Sequence, residues 1–337
     1  MPFFEIVPSG TNINFLGHRK ICLVISLVLI GLGIGWTAVN GIRVGIDFVG
    51  GTEIQLLFDE GVPADESVIR EVAREVGFKD VSVVRFGEEG SNEYLIRFKA
   101  DPETAEVAES EEPVDGLASN TRIISLENAI REQIGGFTEQ RVEFVGPKVG
   151  AELRSDGANA LLYSALAILA YVAFRFNARF APGAVVAVVH DLSITAGLLV
   201  IAGVEFDLRI LAAMLAILGY SLNDTIIIYD RIRENMELHT TADLEEVLNT
   251  SVNQTLSRTV LTSLTTMVAL LSLYFLGGDV IAPFAFTMMI GVVVGTYSSI
   301  FIASPMLLFL EQRYGDAGAR GSKKDSGKRG SKKSVRA

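Results

Sequence analysis

GYSLNDTIIIYDRIREN, residues 219–235, closes an apolar run and yet places Asn223 and Asp224 side by side inside it. The fold turns on what surrounds that carboxylate. A bilayer's hydrocarbon core, roughly 30 Å thick, needs about 20 apolar helical residues to cross it, and the run holding Asp224 extends from about 208 to 229. Five more such runs lie at about 21–39, 158–174, 182–204, 259–276 and 284–310. The sequence therefore predicts a polytopic α-helical membrane protein with six transmembrane helices. A signal peptide competes for the first run, because His18, Arg19 and Lys20 precede it. That run is too long, and TAVNG at 37–41 offers no small-x-small cleavage site.

The 337 residues are 49% hydrophobic with a formal net charge of -11, and these averages join two unlike materials. Orientation is read from Lys and Arg near the spans, not from net charge. Arg19 and Lys20 lead the first span, Arg175 and Arg179 follow the second, and nine basic residues lie between Arg313 and Arg336. The opposite loops, 203–209 and 277–279, hold only Arg209. Both termini are expected in the cytoplasm: an N-terminal segment at 1–20 and a basic tail at 313–337. The loop at 230–258 is net acidic, with Arg231 and Arg233 at the membrane edge. The tail reads as a solvated, disordered topogenic segment, with contact to anionic lipid or ribosomal RNA as the other reading.

Residues 40–150 carry 23 Asp and Glu against 11 Lys and Arg. They read as a soluble, acidic, periplasmic domain whose charge repels nucleic acid. Strand patterns at 52–58, 81–86, 93–98 and 140–146 alternate with helical patterns at 64–77 and 122–135. This βαββαβ order is that of a ferredoxin-like α+β domain. The acidic linker 101–116 and the turn GEEGSN at 87–92 interrupt it. No nucleophile stands beside a base, so binding or leverage is expected and no catalytic residue is assigned. Cys22 is the only cysteine, so neither a disulfide framework nor a thiolate metal site is expected; no metal or cofactor is called for. GIDFVGG at 45–51 joins the first span to the first strand. Gly45, Gly50 and Gly51 imply a tight path or a close approach, without the spacing or following helix of a phosphate cradle. Asp47 reads as a turn or cap residue, or as a coordinating one.

Ionisable groups inside a span cost about 2.5–3.5 kcal/mol each and mark a pathway or a pair. The fourth span carries Asn223 and Asp224, with Tyr220, Ser221 and Ile228 on the same face; the third carries His190 and Asp191. The fifth begins after Arg258, and Thr262, Thr265, Thr266, Ala269 and Ser272 continue from it along one face. That hydroxylated stripe suits a hydrated seam. Antiparallel fourth and fifth spans would let Asp224 and Arg258 meet, so that Asp224 alternates between an ion pair and a protonated state. A permanent buried pair is the structural alternative. Asn223 is a candidate orienting residue, and Thr262, His190 and Asp191 form either a relay or helix-to-helix hydrogen bonds. Gly291, Gly295, Ser298, Ser299 and Ala303 repeat at the spacing of a helix contact face.

GIDFVGG, GYSLNDTIIIYDRIREN and GTYSSIFIASP at 295–305 occur in the order and context of the SecF family, the smaller subunits of the bacterial SecD and SecF protein translocation pair. The chain resembles that family from about 15 to 312, outside the basic tail. The resemblance implies an RND-like bundle: the first span, the outer domain, then five further spans within 151–312. It implies pairing with SecD, association with the SecY, SecE and SecG channel and with YajC, contact with membrane lipid, and proton-driven pulling of unfolded exported chains across the inner membrane. It also implies that Asp224 and Arg258 carry proton transport. A proton-coupled exporter of a solute or lipid, and a scaffold with a structural ion pair, are the competing readings.

Overall fold

The computed structural model describes residues 8, 10–78, 81–87, 91–99, 115–176, 179–278 and 280–315. The tail beyond 315, most of the acidic linker and turn residues 88–90 lie outside the described residues, and with them the expectations of disorder and lipid contact.

Six helices are long and apolar enough to cross a membrane. The first, α1 (Arg19–Asn40), leads through Ile46–Val49 (α2) into the outer domain. Five more follow that domain: α5 (Pro147–Arg175), α6 (Ala181–Ile201), α7 (Leu208–Leu238), α8 (Leu244–Leu276) and α9 (Ala282–Ser298). The last continues through a π-helical turn, Ser299–Ala303, into α10 (Ser304–Leu310). Pro305 accounts for the break, since it has no N–H for the helical ladder. Ser304 Oγ instead donates to Ser299 O at 3.0 Å. The third, fourth and sixth spans make the interior, each with half or more of its most apolar stretch buried, against 11% for the other three.

Hydropathy placed several helix ends too near the membrane. The second span was expected from 158 but its helix starts at Pro147, a residue whose fixed φ suits the first turn. The fourth was expected to end at 229 but runs to Leu238, and the fifth, expected from 259, starts at Leu244. These extensions pair outside the apolar zone. Ile232, Leu248, Val252 and Leu256 bury between them, and Asn235 Nδ2 donates to Ser251 Oγ and Gln254 Oε1, each at 2.8 Å.

The outer domain contains β1 (Gly51–Phe58), α3 (Glu66–Glu75), β2 (Val81–Phe86), β3 (Glu93–Lys99), α4 (Asp115–Gln133) and β4 (Phe137–Val145). Its sheet has the order β2-β3-β1-β4 with every neighbouring pair antiparallel. Alternation sets the faces: Ile54, Leu56 and Phe58 of β1 are buried against Ile69, Val72, Leu126 and Ile130 of the helices. Asp65 caps α3 by accepting from Ser67 N at 2.8 Å. Tyr94 is fully buried because its hydroxyl has partners, donating to Ala64 O at 2.7 Å and accepting from Arg85 Nη2 at 2.8 Å.

Glu127 on α4 is the outer domain's unusual carboxyl. Burial, and then the neighbouring Glu139 on β4, push it up from 4.5 to about 7, with Arg131 acting in opposition. Between those values the folded domain holds a proton that the unfolded chain releases. Its stability therefore falls as pH rises from about 4.5 to 7. Because the carboxyl is partly exposed, screening keeps the effect well below the full worth of the shift. Amide exchange in α4 and β4, corrected for intrinsic rate, should quicken a few-fold across that window in the wild type. It should stay level in Glu127→Gln; a wild type as level as the variant would refute the assignment.

Candidate functional site

The centre of the bundle is built by close backbones. A Cβ at Gly291 would overlap the Ile217 side chain, and one at Gly295 would lie 2.8 Å from Ser221 Cβ, so only glycine lets α9 approach α7 this closely. Gly33 of α1 meets Gly197 of α6 in the same way, 2.8 Å from a built Cβ to the facing Cα. At such separations short hydroxyl side chains span helices.

Asp191 is the node. It is 1% exposed and accepts from Ser221 Oγ of α7 and, at 2.8 Å, from Ser298 Oγ of α9. His190 Nδ1 lies 2.8 Å from its Oδ1, and His190 Nε2 lies 2.9 Å from Ser26 Oγ of α1. Ser26 Oγ is in turn 3.2 Å from the Tyr297 hydroxyl, which donates to Cys22 O at 2.6 Å. Beside this chain, Thr225 Oγ1 and Ser299 Oγ are 2.8 Å apart. Ser298 and Ser299, expected only as packing residues, thus also supply hydrogen bonds. Ser26, Thr225 and Tyr297 escaped the sequence reading. Ser26 had one faint signal, as the only hydroxyl between residues 21 and 36.

Asp224 lies one turn beyond Ser221 and is 1% exposed. Its Oδ2 has no hydrogen-bond partner among the described residues. Asn223 points outward and is exposed, so it does not orient Asp224. The expected contact with Arg258 is also corrected: among the described residues no ion pair within 4.0 Å joins them. Arg258 is exposed, on the open side of α8. Thr262, Thr265 and Ser272 of the same stripe are partly or fully exposed. Their hydroxyls donate to their own helix, to Arg258 O at 3.0 Å, Leu261 O at 2.9 Å and Val268 O at 3.0 Å. The cause is helix rotation: α8 packs through residues such as Leu256 and Leu270, which turns the stripe away from this chain's interior.

A second arrangement joins the bundle to the outer domain. GIDFVGG contains a one-turn helix, α2, which the glycine spacing did not announce. Its expected close approach is present: Gly50 and Gly150 abut, with a Cβ at Gly150 only 2.8 Å from Gly50 N. Asp47 takes the cap role, but for another helix, accepting from Leu208 N at 3.0 Å at the start of α7. Asp207 accepts from Ile210 N at 2.9 Å. Phe206 O accepts from Gly45 N at 2.8 Å. Arg97 of β3 pairs with Glu53 of β1 and, at 2.5 Å, with Glu205 of the loop before α7. The helix carrying Ser221 and Asp224 is thereby tied at its outer end to the sheet. Among the described residues no three His, Cys, Asp or Glu side chains converge as a metal site requires.

Residues 125–313 match the family described as protein export membrane protein SecD/SecF, C-terminal, and residues 35–62 match the SecD/SecF GG motif. The protein translocase subunit SecF of Calditerrivibrio nitroreducens is 42% identical over 311 residues, covering 92% of this chain and 97% of that one. That of Pseudomonas aeruginosa is 41% identical over 307 residues, covering 90% and 93%. The crystal structure of SecDF, a translocon-associated membrane protein from Thermus thermophilus, superposes with a TM-score of 0.76 at 35% identity. It covers 90% of this chain, which spans 39% of that longer one. With two motif regions, near full-length similarity and a shared fold, the chain belongs to the SecF family of protein translocase subunits.

Proposed function

We propose that this protein is an accessory subunit of Sec protein export that, paired with SecD, uses the proton gradient to promote outward movement of unfolded chains. The observation that carries the reading is a buried carboxylate, Asp224, on a helix whose outer end is held by Asp47 and Glu205 to the outer domain. A charge in that setting is costly and its neutralisation relieves the cost, so proton uptake on Asp224 biases the position of α7 and of the domain attached to it. Each proton crossing 100 mV supplies about 2.3 kcal/mol. The exposed Arg258 stripe is unfavourable against lipid, and a SecD bundle seated on α8 would cover it and bring Arg258 into the seam beside Asp224. We assign the termini to the cytoplasm and the sheet domain to the far side of the bacterial inner membrane, from the Lys and Arg distribution. SecY, SecE, SecG, YajC, membrane lipid and exported polypeptides are the partners this role requires. The work is conformational, with no bond made or broken in a substrate. The exporter reading is not favoured, because relatives matching over nearly the whole chain are translocase subunits.

Sealed vesicles containing both subunits should pass protons inward faster when an unfolded export substrate engages, and collapsing the gradient should slow export. Flux equal to that of vesicles containing SecD alone would overturn the proposal.

A further inference from the structure

We infer that His190 carries protons between the centre of the bundle and the end at which α1 begins, through Ser26 and Tyr297; this rests on the proton-coupled reading above. His190 is buried, and both ring nitrogens are engaged, Nδ1 with Asp191 Oδ1 at 2.8 Å and Nε2 with Ser26 Oγ at 2.9 Å. An imidazole held in this way can receive a proton at one nitrogen and release it at the other. Asp191 connects inward: Ser221, which donates to it, stands one turn from Asp224 on α7. Ser26 connects outward to Tyr297, whose hydroxyl reaches Cys22 O near the first turn of α1. Cys22 and Tyr297 are both only partly buried, so the chain of groups runs from a buried centre to the rim of the bundle.

The count of hydrogens supports a wire rather than a static brace. With His190 neutral and its proton on Nδ1, Ser26 donates to Nε2, and Tyr297 spends its one proton on Cys22 O. The 3.2 Å contact between Ser26 and Tyr297 then has no hydrogen in it. With both nitrogens protonated, Nε2–H donates to Ser26, Ser26 to Tyr297 and Tyr297 to Cys22 O, and every contact is filled in one direction. Transfer follows that order. The Nε2 proton passes to Ser26 Oγ as the serine proton passes to Tyr297 Oη, and the tyrosine hydroxyl, turning from Cys22 O, gives up its own proton to water at the rim. His190 is left neutral with its proton on Nδ1, and the ring must turn that N–H away from Asp191 before the next proton can be taken from the Asp191 side.

The ionisable groups in contact with His190 are Asp191 on its own helix and Tyr297, stacked on it from α9 at 5.9 Å; farther off, Asp224 stands one turn beyond Ser221 on α7, and Cys22 of α1 meets Tyr297 through its carbonyl oxygen. The other segments packed on α6, namely α5, the π-turn and α10, bury no ionisable side chain there, and no Lys or Arg is buried among the described residues. His190 is therefore the one cation that this buried cluster can form.

The test uses the full chain with SecD in sealed vesicles. His190→Gln keeps polar arms but cannot relay a proton, and Tyr297→Phe keeps the ring while removing the hydroxyl. Flux should fall at least tenfold in the first and several-fold in the second, with both still assembling with SecD. The pH profile of flux should change shape in His190→Gln and keep its shape in Tyr297→Phe. Wild-type flux and profile in both variants, while Asp224→Asn loses flux, would overturn the wire and leave the proton-coupled reading intact. Flux insensitive to all three substitutions would overturn both.

Discussion

Asp224→Asn should reduce gradient-driven export to the level seen when the gradient is collapsed, a loss of at least tenfold, with little change in folding or in assembly with SecD. The asparagine has nearly the same shape, so packing around α7 is kept. It cannot take up or release a proton, so the step that biases α7 is lost. Stability should not suffer, because Oδ2 of the aspartate has no hydrogen-bond partner to lose among the described residues, and removing an ionisable group from a span relieves a cost of about 2.5–3.5 kcal/mol. Export assays in vesicles with and without an imposed gradient measure the first effect, and thermal unfolding in detergent measures the second. A variant that folds, assembles and exports at the wild-type rate under a gradient would remove Asp224 from the coupling step. Arg258→Ala sharpens the reading. Since Arg258 is exposed and does not pair with Asp224 within this chain, its loss should leave the isolated chain's stability unchanged and act only once SecD covers α8.

The second large effect is expected at Gly50. Its backbone lies at φ +84° and ψ 147°, a region that is essentially glycine-only and costs other residues about 1–3 kcal/mol. A Cβ there would stand 2.7 Å from Pro147 Cα and 2.9 Å from Pro147 N. Those atoms are backbone at the start of α5 and cannot swing aside, so overpacking adds roughly 1–3 kcal/mol. Together the two terms approach the lower end of a whole domain's stability, about 5–15 kcal/mol. Gly50→Ala should therefore lower the melting temperature of the outer domain by about 10 °C or more and open it to protease. Gly61→Ala is the matched control, because its φ is +87° but nothing lies within 4 Å of a built Cβ; it should show only the smaller, conformational loss. Equal melting shifts in the two variants would mean that the contact with α5 does not hold the domain.

Much of this was legible along the chain. Run length disclosed six spans, because a membrane-crossing helix satisfies its backbone internally and is marked by continuous apolarity. Period-2 and period-3.6 patterns disclosed the βαββαβ order, and Asp191 and Asp224 stood out because charge is rare in spans. Helix ends were less legible. The outer part of α5 and the extended ends of α7 and α8 carry charges and so escape a hydropathy reading, yet they are held by contacts such as Ile232 with Val252 and Leu248. The helical turn in GIDFVGG was missed because its flanking glycines serve contacts with Pro147 and Phe206, residues that lie far along the chain.

By itself the sequence determined the class of fold, the number and order of its spans and of the strands and longer helices of the sheet domain, and the identity of the buried charges, since these follow from local periodicity and from the cost of charge in hydrocarbon. Only the tertiary structure decided which charges have partners. It turned Arg258 outward, left Asp224 without a donor among the described residues, and gathered Ser26, His190, Asp191, Ser221, Ser298 and Tyr297 from four helices into one chain. Such contacts depend on helix rotation and crossing, which the Gly33–Gly197 and Gly295–Ser221 approaches set. A rotation of a few tens of degrees, invisible in any single helix's pattern, separates an ion pair from an exposed arginine.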